Sequence, residues 1–262
     1  MELSAFTYSL NSGVARITLN QSELGNPFNQ VFCEEFKRLS VECSENPEVR
    51  SVLISAAGKN FSVGGDLKTF LKSREQLPRA FMSMTSDLHM GVSRFSRMDA
   101  PVVIAVHHLV VGGAVALVAA ADFAIASESA QFYAAFTAIG LCGDTGISYF
   151  LPRRVGSRRA TEFLMLNQKW AARTALENGL INEVVEEDAL PDRALALATQ
   201  LAQGPTRVLG KIKRLQLSSY QQALETQLEF EARAMTECAY TEDAWNAMNA
   251  LAGKQPVRFE NK

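Results

Sequence analysis

Two glycine pairs stand where a predicted strand meets a predicted helix. The first, Gly64-Gly65, lies in "KNFSVGGDLKTF", and the second, Gly112-Gly113, follows the apolar run "PVVIAVHHLVV". Free N–H groups at the start of a helix bind anions, and glycine leaves room for a ligand beside the backbone. If the two turns face each other, the N–H groups of Gly65 and Gly113 would hold one oxyanion, with roughly 3–4 kcal/mol from each donor. The alternative for the first pair is a tight turn in which Asp66 caps a helix.

Asp144 lies in "GLCGDTGISYFLPR". By itself the string "DTGISYFL" indicates the start of a helix with Asp144 as its N-cap. His89 lies on a predicted helix, where a histidine is either a packing or surface residue or part of a site. His107 and His108 end a strand without a third ligand at metal spacing, so we interpret them as structural and predict no metal site.

The elements that must position these residues alternate between strands and helices. A hairpin ("FTYSL", turn, "VARITL") is followed by a helix with Phe28, Phe32, Phe36, Leu39 and Cys43 on one face. After it come the buried strands "VRSVLISAAG", "APVVIAV" and "FAIAS", with helices predicted over 78–97 and over "VGGAVALVAAAD". This alternation predicts parallel βαβ units and an α/β fold.

From about residue 150 the pattern changes to helices interrupted by the short strand "INEVV". We therefore predict an α/β core over 1–200 and a helical C-terminal region over 201–262, which ends in a long helical region from Ser219 to Ala252. Such a region wraps either its own core or a neighbouring subunit.

Composition excludes several function classes. The 262 residues include 47% apolar and 21% charged residues, as expected of a soluble globular protein, and the net charge of −2 gives no reason to expect nucleic acid as a partner. The four cysteines form no CxxC pair, which argues against a zinc site or a disulfide framework. We find no secretory signal and no membrane span, so we expect a cytoplasmic protein.

Several motifs together resemble the crotonase superfamily of enoyl-CoA hydratases and isomerases. They are "VARITLN", "NPFN", "KNFSVGGDLK", the segment from "APVVIAV" to "SESAQF", "IGLCGDTGISYFLPRRVG", "ENGLINEVV" and "GKQPVRF". The resemblance implies a spiral of ββα units, assembly as homotrimers or dimers of trimers, and an acyl-CoA thioester substrate in fatty acid metabolism without a further cofactor. It also implies that Gly65 and Gly113 form the oxyanion hole for the thioester. The implied substrate-binding residues are Lys59, Phe61, Val63, Asp66, Leu67 and Phe136.

The chain departs from the hydratases of that family at both of their glutamates. The resemblance aligns these glutamates with Ala116 and Phe136, neither of which can move a proton. Two-glutamate hydration is therefore not expected. Asp144 stands where other branches of the family place a catalytic aspartate.

Two catalytic roles for Asp144 remain open. In branches similar to ring-opening and 3,2-enoyl-CoA isomerases the aspartate shuttles a proton, and an apolar pocket that raises its pKa would suit that role. In the branch of 4-chlorobenzoyl-CoA dehalogenase it attacks as a nucleophile, and His89, twelve residues before Pro101, has the spacing of that branch's histidine. The chain lacks that branch's aromatic residues at Gly65 and its tryptophan at Phe136. A third possibility is an acyl-CoA-binding subunit without turnover.

Overall fold

A computed structural model describes residues 2–262 and contains two sheets. The larger has six strands in the order β1-β2-β3-β4-β6-β9, and the smaller has three in the order β5-β7-β8. The strands are β1 Phe6–Asn11, β2 Val14–Leu19, β3 Ser51–Ala56, β4 Val102–Val106, β5 Leu109–Val111, β6 Phe123–Ser127, β7 Gln131–Tyr133, β8 Lys169–Ala171 and β9 Glu183–Val185.

Helices cover the sheets and form the C-terminal region of a mixed α/β fold. They are α1 Gln30–Glu45, α2 Leu67–Phe70, α3 Leu77–Arg97, α4 Gly113–Ala120, α5 Ile147–Val155, α6 Ser157–Met165, α7 Ala172–Glu177, α8 Leu190–Ala202, α9 Thr206–Ser219, α10 Leu224–Ala239 and α11 Glu242–Ala252. None of these helices combines the length and the apolar composition needed to cross a membrane.

The parallel core of the larger sheet confirms the predicted βαβ organisation. Only the β1–β2 hairpin is antiparallel, and its turn uses the positive φ angles of Ser12 (50°) and Gly13 (80°). The pairs β2–β3, β3–β4, β4–β6 and β6–β9 are all parallel. The predicted face of α1 is buried in the main core with Phe32, Phe36 and Leu39.

The helical region predicted from Ser219 to Ala252 is divided between two helices. α9 ends at Ser219, and a break separates α10 from α11. At that break Thr241 caps α11, since its hydroxyl accepts a hydrogen bond from the N–H of Ala244 at 3.1 Å. The three-residue strands β5, β7 and β8 were not predicted.

Residues 61–65 run beside β5 and bring the first glycine pair to the second. An isolated parallel bridge pairs Ser62 with Val110, and the N–H of Val111 donates to the carbonyl of Ser62 at 3.1 Å. Gly65 and Gly113 each lie three residues after a bridge partner. The backbone register therefore places the two glycines at the same level.

Asn26 holds the start of this glycine segment. It is buried, has a φ of 54°, and its side-chain amide donates to the carbonyls of Ala57 and Asn60 at 2.9 and 3.0 Å. Its own carbonyl accepts a hydrogen bond from the hydroxyl of Ser62 at 2.7 Å. One residue thus joins the segment before α1 to the loop that precedes Gly64.

We expect Asn26→Gly to lower the free energy of unfolding by about 1–3 kcal/mol, because two partly buried carbonyls lose their donor. Asn26→Ala should cost roughly 1 kcal/mol more, since alanine also disfavours the positive φ that glycine tolerates. Urea unfolding of both variants measures the difference. Equal midpoints would show that the positive φ at residue 26 does not affect the free energy of unfolding.

Candidate active site

A cavity of about 300 Å³ opens between the two glycine turns, α1, α3 and the segment 134–144. Its wall is mostly apolar, and Phe70 and Phe81 meet edge to face in it with ring centroids 4.7 Å apart. Small-ligand sites are typically such concave apolar pockets with a few polar groups. The polar side chains in the wall are those of Cys33, Thr85, Cys142 and Asp144.

The two glycine turns lie against each other at one end of the cavity. A methyl carbon added to Gly112 would come within 3.9 Å of the Cα of Gly64. Both residues have positive φ angles, 85° for Gly64 and 59° for Gly112, so glycine is required for this close approach.

The hydrogen bonds of the turns leave two N–H groups free. The N–H of Gly64 donates to the hydroxyl of Ser62 at 3.1 Å, and that of Gly112 donates to the carbonyl of Tyr133 at 2.9 Å. Within residues 2–262 no acceptor pairs with the N–H of Gly65 or of Gly113. Gly113 is also the first residue of α4, whose dipole places partial positive charge there. The pair can therefore hold one oxyanion in the cavity.

Asp144 is the single carboxyl group in the cavity wall among the described residues. Burial raises the pKa of its carboxyl above the ordinary range, and the hydrogen bond from the hydroxyl of Thr145 to Oδ1, 2.9 Å long, partly opposes that rise. The alternative role as a helix cap was wrong. Gly146 caps α5, with no side-chain hydrogen bond, so the Asp144 carboxyl is left for the cavity.

Cys33 does not compete with Asp144 for a proton. Burial, followed by the negative charge of Asp144, raises the pKa of its thiol to about 12. The thiol therefore stays protonated at neutral pH. The hydroxyl of Thr85 already donates to the carbonyl of Phe81 at 2.7 Å. The cavity thus combines two backbone donors with one carboxyl that can gain and lose a proton.

Comparison with known proteins decides the family. Residues 9–262 match the model of the enoyl-CoA hydratase/isomerase family, which covers nearly the whole chain. The chain belongs to the enoyl-CoA hydratase/isomerase family. The crotonase-type fold expected from the sequence motifs is therefore confirmed, and members of this family act on acyl-CoA thioesters.

Two relatives and one solved structure illustrate the similarity. The trans-2-decenoyl-[acyl-carrier-protein] isomerase of Streptococcus mutans is 30% identical over 263 residues, with 100% of each chain covered. The 1,2-epoxyphenylacetyl-CoA isomerase of Escherichia coli is 31% identical over 254 residues, with 97% of each covered. A Mycobacterium abscessus structure described as an enoyl-CoA hydratase/isomerase superposes with a TM-score of 0.93 at 34% identity, covering 98% of this chain and 100% of that one.

Ala116 and Phe136 have side chains that can neither donate nor accept a proton. Ala116 is buried within α4, and the side chain of Phe136 lines the cavity. Within the described cavity wall no second carboxyl or histidine faces Asp144.

The structure places the other sequence-predicted residues in two groups. Val63 and Leu67 line the cavity with Phe136. Phe61 does not, because its side chain is fully buried in the main core. Asp66 caps α2, since its carboxylate accepts the N–H of Thr69 at 3.2 Å and the hydroxyl of Thr69 at 2.7 Å. Lys59 is exposed in the loop before the first glycine turn.

His89 lies behind Asp144 and not in the cavity wall. Its side chain is exposed, and its Nε2 accepts the N–H of Thr145 at 3.0 Å. An accepting Nε2 carries no proton, so in this arrangement the ring proton lies on Nδ1. Among residues 2–262, no three His, Cys, Asp or Glu side chains cluster as a metal site would require.

Sequence reasoning missed one wall of the cavity and one buried hydroxyl. The missed wall residues on α3 are Phe81, Met84, Thr85 and Leu88. Their i, i+3, i+4, i+7 spacing was visible as a helix face, but the pattern does not tell a face on a core from one on a cavity. Thr145 gave no sequence signal beyond its place after Asp144.

We expect Asp144→Asn to raise the Tm at neutral pH by roughly 2–4 °C, the shift that about 1 kcal/mol produces in a chain of this size. The folded-state pKa of Asp144 lies above the unfolded value of about 3.9, so the wild type loses stability as pH rises through the folded pKa. Asparagine carries no charge and avoids this loss. Thermal melts at pH 7 and near pH 4 should show the difference only at pH 7; a lower Tm for the variant at pH 7 would contradict the burial of charge.

Proposed function

We propose that the protein is an enoyl-CoA isomerase that moves a carbon–carbon double bond between the α,β and β,γ positions of an acyl thioester. The N–H groups of Gly65 and Gly113 hold the thioester oxygen as it gains enolate charge. Asp144 removes a proton from one carbon and returns it to another. The observation that carries this proposal is a cavity with two free backbone donors and one carboxyl group.

The two backbone N–H groups and the Asp144 carboxyl have complementary tasks in this reaction. A proton beside a thioester becomes removable when the enolate oxygen is stabilised, and each preorganised N–H contributes a factor of about 10²–10³ in kcat. A carboxyl with a raised pKa is a better base than an ordinary aspartate and gives the proton back readily. One such group is enough for isomerisation, because the proton removed is also the proton returned.

Hydration requires more than this cavity offers. Addition of water needs a group to activate the water and a proton for the adjacent carbon. The resemblance aligns Ala116 and Phe136 with the glutamates of the family's hydratases, and neither side chain can do this. The names of the two relatives, both isomerases, support the same choice. We propose CoA as the carrier and an apolar acyl group, since the cavity wall is mostly apolar.

Nucleophilic attack by Asp144, as in a dehalogenase, is less favoured by the geometry. Hydrolysis of an aspartyl ester needs a base near the water. His89 lies outside the cavity wall, and its Nε2 already accepts a backbone N–H. The dehalogenase hypothesis predicts a covalent aspartyl adduct that intact-mass analysis can detect. Detection of this adduct with a substrate that the enzyme converts would contradict the isomerase proposal.

The test is incubation with 3-enoyl-CoA and 2-enoyl-CoA thioesters, with products separated and weighed by mass spectrometry. Isomerase activity gives products of unchanged mass, whereas hydration gives products heavier by one water. A parallel arm with the same acyl groups on acyl carrier protein tests the carrier. No turnover in either arm, together with ligand-induced stabilisation by acyl-CoA, would indicate a binding subunit instead.

We also propose a cytoplasmic homotrimer or dimer of trimers in which the region 201–262 contributes the subunit contacts. Leu228 of α10 and Trp245 and Leu251 of α11 are exposed apolar side chains, which supports a covering partner. Analytical ultracentrifugation of the full chain measures the subunit number, and a monomer at micromolar concentration would contradict it.

A further inference from the structure

Thr145, directly after Asp144, has a backbone conformation that its residue type disfavours. Its φ is 56°, which is rare for a β-branched residue, and its side chain is fully buried. Strained residues persist only where the surroundings hold them, and they cluster at functional sites. Two contacts hold this one.

The first contact is made by the backbone and the second by the side chain. The N–H of Thr145 donates to Nε2 of His89 at 3.0 Å, which ties the segment to α3. The hydroxyl of Thr145 donates to Oδ1 of Asp144 at 2.9 Å. This hydrogen bond holds the carboxylate in one orientation in the cavity wall.

The same hydroxyl lies beside the second glycine turn. A methyl carbon added to Gly113 would come within 3.0 Å of Oγ1 of Thr145. The Thr145 side chain therefore donates to the Asp144 carboxyl and lies next to Gly113.

We propose that Thr145 is a positioning residue that aligns the Asp144 carboxylate with the oxyanion-binding turn, and that His89 acts through Thr145 by holding its backbone. The role in turnover rests on the proposed function, whereas the effect on the Asp144 carboxyl does not. His89 accordingly contributes without touching the substrate. The contact of His89 with the Thr145 backbone, outside the cavity wall, therefore sets the positions of both Thr145 and Asp144.

The matched variants are Thr145→Ser, which keeps the hydroxyl, and Thr145→Ala, which removes it; both lose the same methyl group. Without its donor the Asp144 carboxylate is less stabilised, so its titration midpoint should be higher in Thr145→Ala than in Thr145→Ser. The groups that titrate near Asp144 are His89 on α3 and Cys33 on α1, and both are unchanged in the pair. Carbon-13 NMR of protein labelled at the aspartate carboxyl measures the midpoint, with Asp144→Asn assigning the signal.

A second pair tests His89. His89→Gln retains an acceptor at the reach of Nε2, whereas His89→Leu has none, so kcat should be about tenfold lower in His89→Leu than in His89→Gln, with similar KM. We expect the same ratio between Thr145→Ala and Thr145→Ser. His108→Leu, which removes an exposed histidine paired with Glu187, serves as the control and should keep the wild-type kcat.

The outcomes separate the inference from the proposed function. A higher Asp144 midpoint in Thr145→Ala than in Thr145→Ser supports the positioning role, even if no enoyl thioester is isomerised by any variant. Equal midpoints in the two Thr145 variants would overturn the positioning role of Thr145. Equal kcat values for His89→Gln and His89→Leu in an active enzyme would overturn that of His89.

Discussion

Asp144→Asn is expected to lower kcat for enoyl-CoA isomerisation by about 10³-fold while KM changes little. General acid–base groups contribute roughly 10²–10⁴-fold, and within the described cavity wall no second carboxyl or histidine can replace this one. Asparagine keeps the size of the side chain and can still accept the hydroxyl of Thr145, so the loss isolates the proton transfer. Steady-state kinetics with a 3-enoyl-CoA measures it.

The pH dependence of the wild type belongs to the same prediction. Asp144 acts as a base when ionised, so kcat/KM should fall as pH drops through its pKa. Because burial raises that pKa, the fall should begin above the range of an ordinary aspartate. Asp188→Asn, an exposed aspartate away from the cavity, is the matched control and should retain full activity. An Asp144→Asn enzyme as fast as the wild type would remove Asp144 from the mechanism.

Gly65→Pro is expected to lower kcat by about 10²–10³-fold, because proline removes the N–H that would hold the enolate oxygen. The loss should appear in kcat more than in KM, since enolate charge develops only in the transition state. Thermal melts of the variant check that the fold is retained.

Gly65→Ala distinguishes the effect of losing the N–H from the effect of adding side-chain atoms. Its Cβ would meet the ring edge of Phe70 at 2.7 Å, a side chain that can move, while the N–H remains in place. The alanine variant should therefore exceed the proline variant in kcat by about the factor assigned to the N–H. Similar rates for the two would mean that the Gly65 N–H does not contact the developing charge.

Local features of the sequence were enough to predict that the two glycine turns converge. A glycine pair between a strand and a helix is visible in a short segment, and two such pairs suggested convergence. The structure shows the reason for their proximity, which is the parallel bridge between Ser62 and Val110. That pairing joins segments 48 residues apart, and the short strand β5 leaves no periodic pattern from which to predict it.

The place of Asp144 in the cavity wall could not be predicted from its local sequence. "DTGISYFL" has the pattern of a capped helix, yet Gly146 takes the cap and the carboxyl faces the cavity. Tertiary packing decided between the two, because the positive φ of Thr145 turns the chain before α5 begins. His89 showed a suggestive spacing, but only the structure shows that it contacts Thr145 from behind.

Transfer of an isotopic label tests the proton shuttle most directly. A 3-enoyl-CoA with deuterium on the carbon next to the thioester is converted in ordinary water, and the product is analysed before the reaction reaches equilibrium. A single carboxyl that moves the proton predicts deuterium at the γ-carbon of part of the 2-enoyl product, and its loss with Asp144→Asn. Product formed with no deuterium at the γ-carbon, or hydrated product in its place, would contradict the shuttle by Asp144.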